Sequence, residues 1–388
     1  MLASVSDSVV RATDAVVDRW RGGTNLDRAA LAAGGVASAL TAGYLVKAVV
    51  GGRSKPSTYQ LSGGSIEKGQ VRGKFDEYWG SFGQGAGEGI VSEKRDETPS
   101  LVDTFYSLVT DIYEWGWGQS FHFSPVLPGQ TDLCSEVAHE VYIPAMLHVG
   151  PGDRILDCGC GVGGPMRRVA SRSGAHVTGI TINDYQVQRA IAHNKALGVD
   201  KLTDVVCGNF LEMPFDDNTF DGAYAVEATC HSPDIQAVYA EIFRVIKPGS
   251  HFFSYEWVTT KEFDQSNPEH VRIIDEINKG NGLPEMRSYK ECEEAGKRAG
   301  FELVKSIDFA VASPVCKPWY ARLQTLNGPQ IKIINRGFVN TLNAIGLLPR
   351  GVKEVHDMLV DVGESLVEGG VTGIFSPMHI LLFRKPTK

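Results

Sequence analysis

No Cys-x-x-Cys pair occurs anywhere in this chain, and its cysteines number seven, an odd count. They are Cys134, Cys158, Cys160, Cys207, Cys230, Cys292 and Cys316. A disulfide frame or a zinc knuckle needs paired, closely spaced thiols, so free thiols in a reducing compartment are expected. No His, Cys, Asp or Glu cluster has metal-ligand spacing, and no metal is expected. Positive charge is also in short supply: 38 Lys and Arg against 46 Asp and Glu leave −8. That balance argues against nucleic acid as a partner, because phosphate contacts require a basic face. Long apolar runs are scarce. The charge-free stretch at residues 29–46 would span roughly 27 Å as a helix, just short of a hydrocarbon core. It is rich in alanine and glycine, so its transfer free energy is weak, but Lys47 can snorkel and extend it to Gly52. A membrane anchor over residues 29–52 is expected, with a buried or disordered helix as the other reading. A cleaved leader fits poorly, since Asp7, Asp14, Asp18 and Asp27 precede the run.

What is present organises around residues 154–168, R-I-L-D-C-G-C-G-V-G-G-P-M-R-R. A short apolar strand, Ile155 and Leu156, ends at Asp157. Gly159, Gly161 and Gly163 alternate, Gly164 follows, and a helix begins near Pro165. Strand, glycine loop and helix N-terminus together make a nucleotide cradle, because glycine lets backbone approach a ligand closely. NAD enzymes carry a related loop, but here the acid precedes the first glycine by two residues and the glycines alternate. That form is similar to the loop of S-adenosylmethionine (AdoMet) methyltransferases.

Downstream, strands and helices alternate through residue 258, which implies a parallel sheet covered by helices, with ligands at the strands' C-terminal ends. Asp157, Asn183, Asn209, Glu227, His231 and Glu256 all fall at those ends. Upstream lies Y-E-W-G-W-G-Q-S-F-H-F-S-P at residues 113–125. Its rings are costly in an exposed loop. They read either as a core plug or as the wall of an apolar pocket presenting ring faces to a cation. His139 reads as a satisfied helix histidine. Residues 261–285 read as a polar insertion, residues 318–367 as a helical subdomain, and residues 379–383 as a strand rejoining the sheet. Four segments are expected: 1–52, helix and anchor; 53–97, linker with a short helix; 98–258, aromatic motif and AdoMet-binding core; 259–388, insertion, helical subdomain and last strand.

With these residues in view, the chain resembles the sterol C-24 methyltransferases of plants, algae and fungi over roughly residues 74–386. The resemblance rests on the aromatic block, on V-E-A-T-C-H-S-P-D at residues 226–234, on Y-E-W-V at 255–258 and on G-I-F-S-P-M-H near the C-terminus. It implies an α/β, Rossmann-like seven-stranded sheet whose last strand is antiparallel, with a helical sterol-binding C-terminal part. The implied reaction is methyl transfer from AdoMet to C-24 of a Δ24 sterol (cycloartenol-like, lanosterol-like or zymosterol-like), through a C-25 cation and loss of a proton. By position, Asp157, Gly159, Gly161, Gly163 and Gly164 would hold the methionine and ribose end. Thr181, Asn183 and Gln186 would be ribose and amino-acid contacts, and Asn209 and Phe210 adenine contacts. Tyr113, Trp115 and Trp117 would stabilise the cation. Glu114, His122, Glu227, His231 and Glu256 remain open as the base, with Glu227 and His231 able to pair if their turn is helical. Membrane association is expected, at the cytosolic face of the endoplasmic reticulum, and a homo-oligomer is left open. The alternatives are methylation of another lipid, such as a tocopherol-like ring or a fatty-acyl alkene, and a non-catalytic lipid-binding membrane protein.

Overall fold

The computed structural model describes residues 65–67, 69–82, 97–129, 131–311, 315–346, 348 and 350–387, without the side chains of Trp115 and Asp132. The expected anchor at 29–52 lies outside the described residues. Among the described residues, three helices precede the sheet: α1 (Val71–Trp79), α2 (Thr98–Gly116) and α3 (Asp132–Leu147). Then come β1 (Arg154–Cys158), α4 (Gly164–Ser173), β2 (His176–Thr181), α5 (Asp184–Leu197) and β3 (Thr203–Cys207). These are followed by β4 (Phe220–Val226), α6 (Ile235–Val245) and β5 (Ile246–Thr259). The remainder supplies α7 (Pro268–Asn281), α8 (Tyr289–Arg298), β6 (Glu302–Asp308), α9 (Ala321–Leu326), α10 (Pro329–Ala344), α11 (Val352–Thr372) and β7 (Phe375–Arg384).

The seven strands run in the order β3-β2-β1-β4-β5-β7-β6. Strands β1 to β5 pair in parallel, and β7 is antiparallel to both β5 and β6. Helices cover both faces, which is why the strands read as continuous apolar runs. Ile155 and Leu156 of β1 are fully buried, although they point to opposite sides. Helix α6 shows the covering rule. Ile235, Val238, Tyr239, Ile242 and Val245 recur at helical spacing and are all buried, while Asp234 caps the N-terminus through the Ala237 N–H.

Three expectations change. Residues 261–285 are no polar insertion. Asn267 caps α7, and Ile273, Ile274 and Ile277 of that helix are buried in the main core. The helix is polar in sequence because only one face packs, and that face carries isoleucines at spacings of three and four. Residues 71–82 are packed structure, not linker: Tyr78 and Phe82 are buried beside Phe105, and the Tyr78 hydroxyl donates to the Lys279 carbonyl at 2.5 Å. No boundary falls at 258. Strand β5 runs through it, β6 and β7 complete the same sheet, and residues Leu61–Lys388 form one compact unit. No helix among the described residues is long and apolar enough to cross a membrane.

Candidate active site

Two cavities adjoin at the C-terminal ends of the parallel strands. The first is lined by the glycine loop (Asp157, Gly159, Gly161), by Thr181 and Gln186 after β2, and by Asn209 and Phe210 after β3. The N-terminal turns of α2 close it from above with Thr98, Pro99 and Val102. The second cavity, about 240 Å³, is mostly apolar and lies between α2 and the C-terminal helices. Phe105, Tyr113, Trp117 and Trp257 line it together with Leu323, Leu359 and Leu366. Five residues line both: Tyr106, Phe121, His122, Glu227 and His231.

The glycines divide by task. Gly161 has φ of 53°, and a Cβ there would meet only Phe121, at 3.9 Å, so it would project into the first cavity. Gly159 lets two loops close: a Cβ would lie 2.3 Å from the Cβ of Ala228. Neither Gly163 nor Gly164 lines the cavity. Gly163 caps α4 in a left-handed conformation. A Cβ on Gly164 would lie 2.2 Å from the Gln119 carbonyl, so that glycine admits the end of the aromatic segment. Asn183 is likewise displaced from the expected ligand set. Its Oδ1 caps α5 through the Gln186 N–H, and its amide donates to Asp103 Oδ1 and Ser107 Oγ of α2. Thr181 and Gln186 remain at the wall, joined by a 2.8 Å hydrogen bond.

Asp157 is buried, and its Oδ2 accepts from the Tyr224 hydroxyl at 2.8 Å. Burial pushes its pKa up to about 7, against the pull of that hydroxyl. A cationic ligand beside it would favour the carboxylate. The first cavity therefore suits AdoMet in three respects: a Cβ-free approach at Gly161, a buried acid for a positive group, and polar side chains after β2 and β3.

At the shared wall the titratable groups are held in different states. Glu227 has φ of 53°, unusual for a non-glycine residue. Its Oε1 accepts from the Phe123 N–H at 2.8 Å and its Oε2 from Trp257 Nε1 at 2.7 Å. Burial raises its pKa to about 8, with the His122 charge and the two donors opposing. His122 donates from Nδ1 to the Phe123 carbonyl (2.9 Å) and faces Glu140 from Nε2 (3.1 Å). Burial disfavours its cation, but Glu140 outweighs that and lifts the pKa to about 9. His231 is the reverse case. Burial lowers its pKa to about 4, and with Nδ1 facing the Gly282 carbonyl (3.4 Å), Nε2 accepts from the Tyr106 hydroxyl at 2.8 Å. Glu227 and His231 do not pair, because the intervening turn is a single 3₁₀ turn and each is bound elsewhere.

Glu114 lines neither cavity. Its carboxylate is clasped by Arg189 Nε at 2.6 Å and His193 Nε2 at 2.5 Å on α5. Glu256 is also withdrawn: Oε1 accepts from Ser254, Thr229 and Tyr239, bracing the turn after Glu227. Tyr113 and Trp117 do line the apolar cavity, but the Arg322 guanidinium sits 4.5 Å from the Trp117 ring centre and occupies one face. His139 is buried with neither ring nitrogen hydrogen-bonded, so it is held by stacking on Tyr255 at 3.7 Å rather than by polar partners. Tyr106, Phe105 and Trp257 also line the site, although none is a site candidate from the sequence alone. For Tyr106 the signal is in the sequence: Val102, Tyr106 and Tyr113 recur four and seven residues apart along one helix.

Residues 156–254 match the methyltransferase domain family and residues 329–387 the sterol methyltransferase C-terminal family. The chain is 52% identical over 326 residues to 24-methylenesterol C-methyltransferase 2 of Arabidopsis thaliana, covering 84% of this chain and 88% of that one. It is 46% identical over 353 residues to squalene methyltransferase 1 of Botryococcus braunii, covering 91% and 93%. Among solved structures, the [4+2]-cyclase SpnF superposes with a TM-score of 0.57 at 21% identity, over 75% of this chain and 97% of that one; this likeness concerns the fold.

Proposed function

We propose a course of reaction from one premise: this chain belongs to the sterol C-methyltransferases. It is an AdoMet-dependent methyltransferase acting at C-24 of a sterol side chain. One observation carries the rest: the polar cavity and the apolar cavity meet at a wall containing a buried carboxyl group, Glu227. Asp157, Gly161, Gln186 and Asn209 hold the cofactor. Bound there, AdoMet supplies an electrophilic methyl group. Methylating an alkene leaves positive charge on the neighbouring carbon and a proton to be lost, which sets two demands on the chain.

The ring faces of Tyr106, Tyr113 and Phe121 meet the first demand, each at roughly 0.5–2 kcal/mol. Trp117 contributes mainly area, since Arg322 already occupies one of its faces. Glu227 meets the second. Its pKa of about 8 lies close to neutrality, as an effective general base requires, and two fixed donors hold its orientation. Positive charge in either cavity draws that pKa down and readies the carboxylate. His231, at about 4, is a far weaker base, and His122, at about 9, already carries its proton.

The substrate is a sterol with a side-chain alkene, in the Δ24 form or in the 24-methylene form named for relatives. Such a substrate is lipid-borne, which supports membrane association. Seven free thiols and a cytosolic cofactor support the cytosolic face of the endoplasmic reticulum. Mass spectrometry tests the reading: purified protein given methyl-labelled AdoMet should label cycloartenol, lanosterol, zymosterol or a 24-methylene sterol. Label appearing only in a tocopherol precursor or an acyl alkene would overturn it.

A further inference from the structure

Between Asp308 and Glu354 the chain carries no acidic residue, in a protein whose net charge is −8. Over those 45 residues, 309–353, six cations occur: Lys317, Arg322, Lys332, Arg336, Arg350 and Lys353. The same stretch supplies seven of the fourteen large apolar side chains exposed among the described residues. That is half of them from about an eighth of the described residues, so the patch is localised rather than the scatter of a normal surface.

Helix α10 arranges the patch. Lys332 and Arg336 face α11 through ion pairs with Glu364 and Asp361. On a helix with 100° per residue, Ile331, Ile334, Phe338, Leu342 and Ile345 then fall on one stripe directed elsewhere. Ile334 is 48% exposed and Ile345 59%, and no residue of α10 is buried. The patch continues into the apolar cavity. Leu326, at the end of α9 just before α10, lines that cavity and is itself 42% exposed. Lys317 and Arg350 are exposed within the same acid-free stretch.

We propose that α10 and its flanks dock on an anionic lipid bilayer, with the apolar stripe lying in the interface and the mouth of the sterol cavity facing the membrane. Lys332 and Arg336 are engaged by acids of α11, so the exposed positive charge beside the stripe comes from Lys317 and Arg350. An apolar stripe with basic flanks is the signature of a helix that lies on a membrane surface. The proposal deepens the assignment of a sterol substrate by giving it a route: from the bilayer past Leu326, with no passage through water. It is independent of residues 29–52.

The test uses the full chain, wild type and I331Q/I334Q/I345Q, three residues outside both cavities. Hydrogen exchange over residues 329–345 is followed without lipid, with phosphatidylcholine vesicles, and with vesicles containing phosphatidylserine. Turnover is measured on sterol in the same vesicles and in detergent micelles. Wild type should gain protection over 329–345 on anionic vesicles, less on neutral ones. The variant should lose that protection and at least about fivefold of its vesicle turnover, while micelle turnover stays within about twofold. Unaltered exchange with every vesicle would overturn the proposal, whatever the turnover. So would protection that grows with protein concentration in the absence of lipid, which would mark a contact between copies. No sterol methylation in either medium would instead count against the substrate assignment, while lipid-dependent protection of α10 would still uphold docking.

Discussion

As the proposed base, Glu227 would be neutral in one state and charged in another. Its ordinary pKa is 4.5 and burial raises it to about 8. Between those values the unfolded chain has given up this proton and the folded chain retains it. The folded state therefore binds more protons, and stability falls as pH rises, by up to ~1.4 kcal/mol per pH unit for this group. His122 acts in the same direction over a higher window, from its ordinary 6.5 to about 9. Ligand-free protein should thus unfold more readily at pH 8 than at pH 5, by chemical denaturation across a pH series. Glu227→Gln should flatten the part of that slope between 4.5 and 8. It should also lower turnover by about 10²–10⁴, with AdoMet affinity within about threefold by calorimetry. A variant with normal turnover would remove Glu227 as the base. The candidates' residue types were readable from sequence, but their states were not. Burial in the folded chain raises Glu227 and lowers His231, while Glu140, 18 positions away, raises His122, and none of these surroundings is local in sequence.

Helix α2 reaches both cavities and is fixed to α5 by polar contacts. Asn183 takes its amino end, and Glu114 meets Arg189 and His193 near its carboxyl end. Truncating one member of a buried ion pair weakens the compensation of the other charge. Glu114→Gln should therefore cost roughly 3 kcal/mol of stability. Turnover per folded molecule should stay within about twofold, because the side chain touches neither cavity. Thermal denaturation alongside active-site-normalised kinetics would separate the two effects, and a large loss of turnover at unchanged stability would return Glu114 to the catalytic group. Glycine spacing announced the loop between β1 and α4, since alternation is local information. It could not tell Gly161, which faces the first cavity, from Gly164, which faces the Gln119 carbonyl. That distinction depends on a segment 45 residues earlier in the chain. Helix α7 escaped notice for a related reason: three isoleucines among charges announce a packed face only once α11 lies across it.

At the scale of the molecule, the chain's end completes its centre. Strand β7 is inserted between β5 and β6, and nine of its ten residues are buried. An apolar strand near residues 379–383 was evident from composition, but its neighbours were not, because pairing partners lie up to about 130 residues away. A chain ending at Gly373 would leave β5 and β6 with unpaired edges and open the core around Ile380 and Phe383. It should show no cooperative unfolding transition, and a soluble truncated chain that still binds AdoMet would mean that the sheet is sufficient at β5. The common wall between the two cavities has a thermodynamic corollary. Tyr106, Phe121, His122, Glu227 and His231 cannot answer one ligand without altering what the other meets, so the two binding equilibria are linked. Linkage is reciprocal: whatever factor the bound cofactor adds to sterol affinity, the bound sterol adds to cofactor affinity. Titrating each ligand in the presence and absence of the other would return one coupling constant from two independent directions.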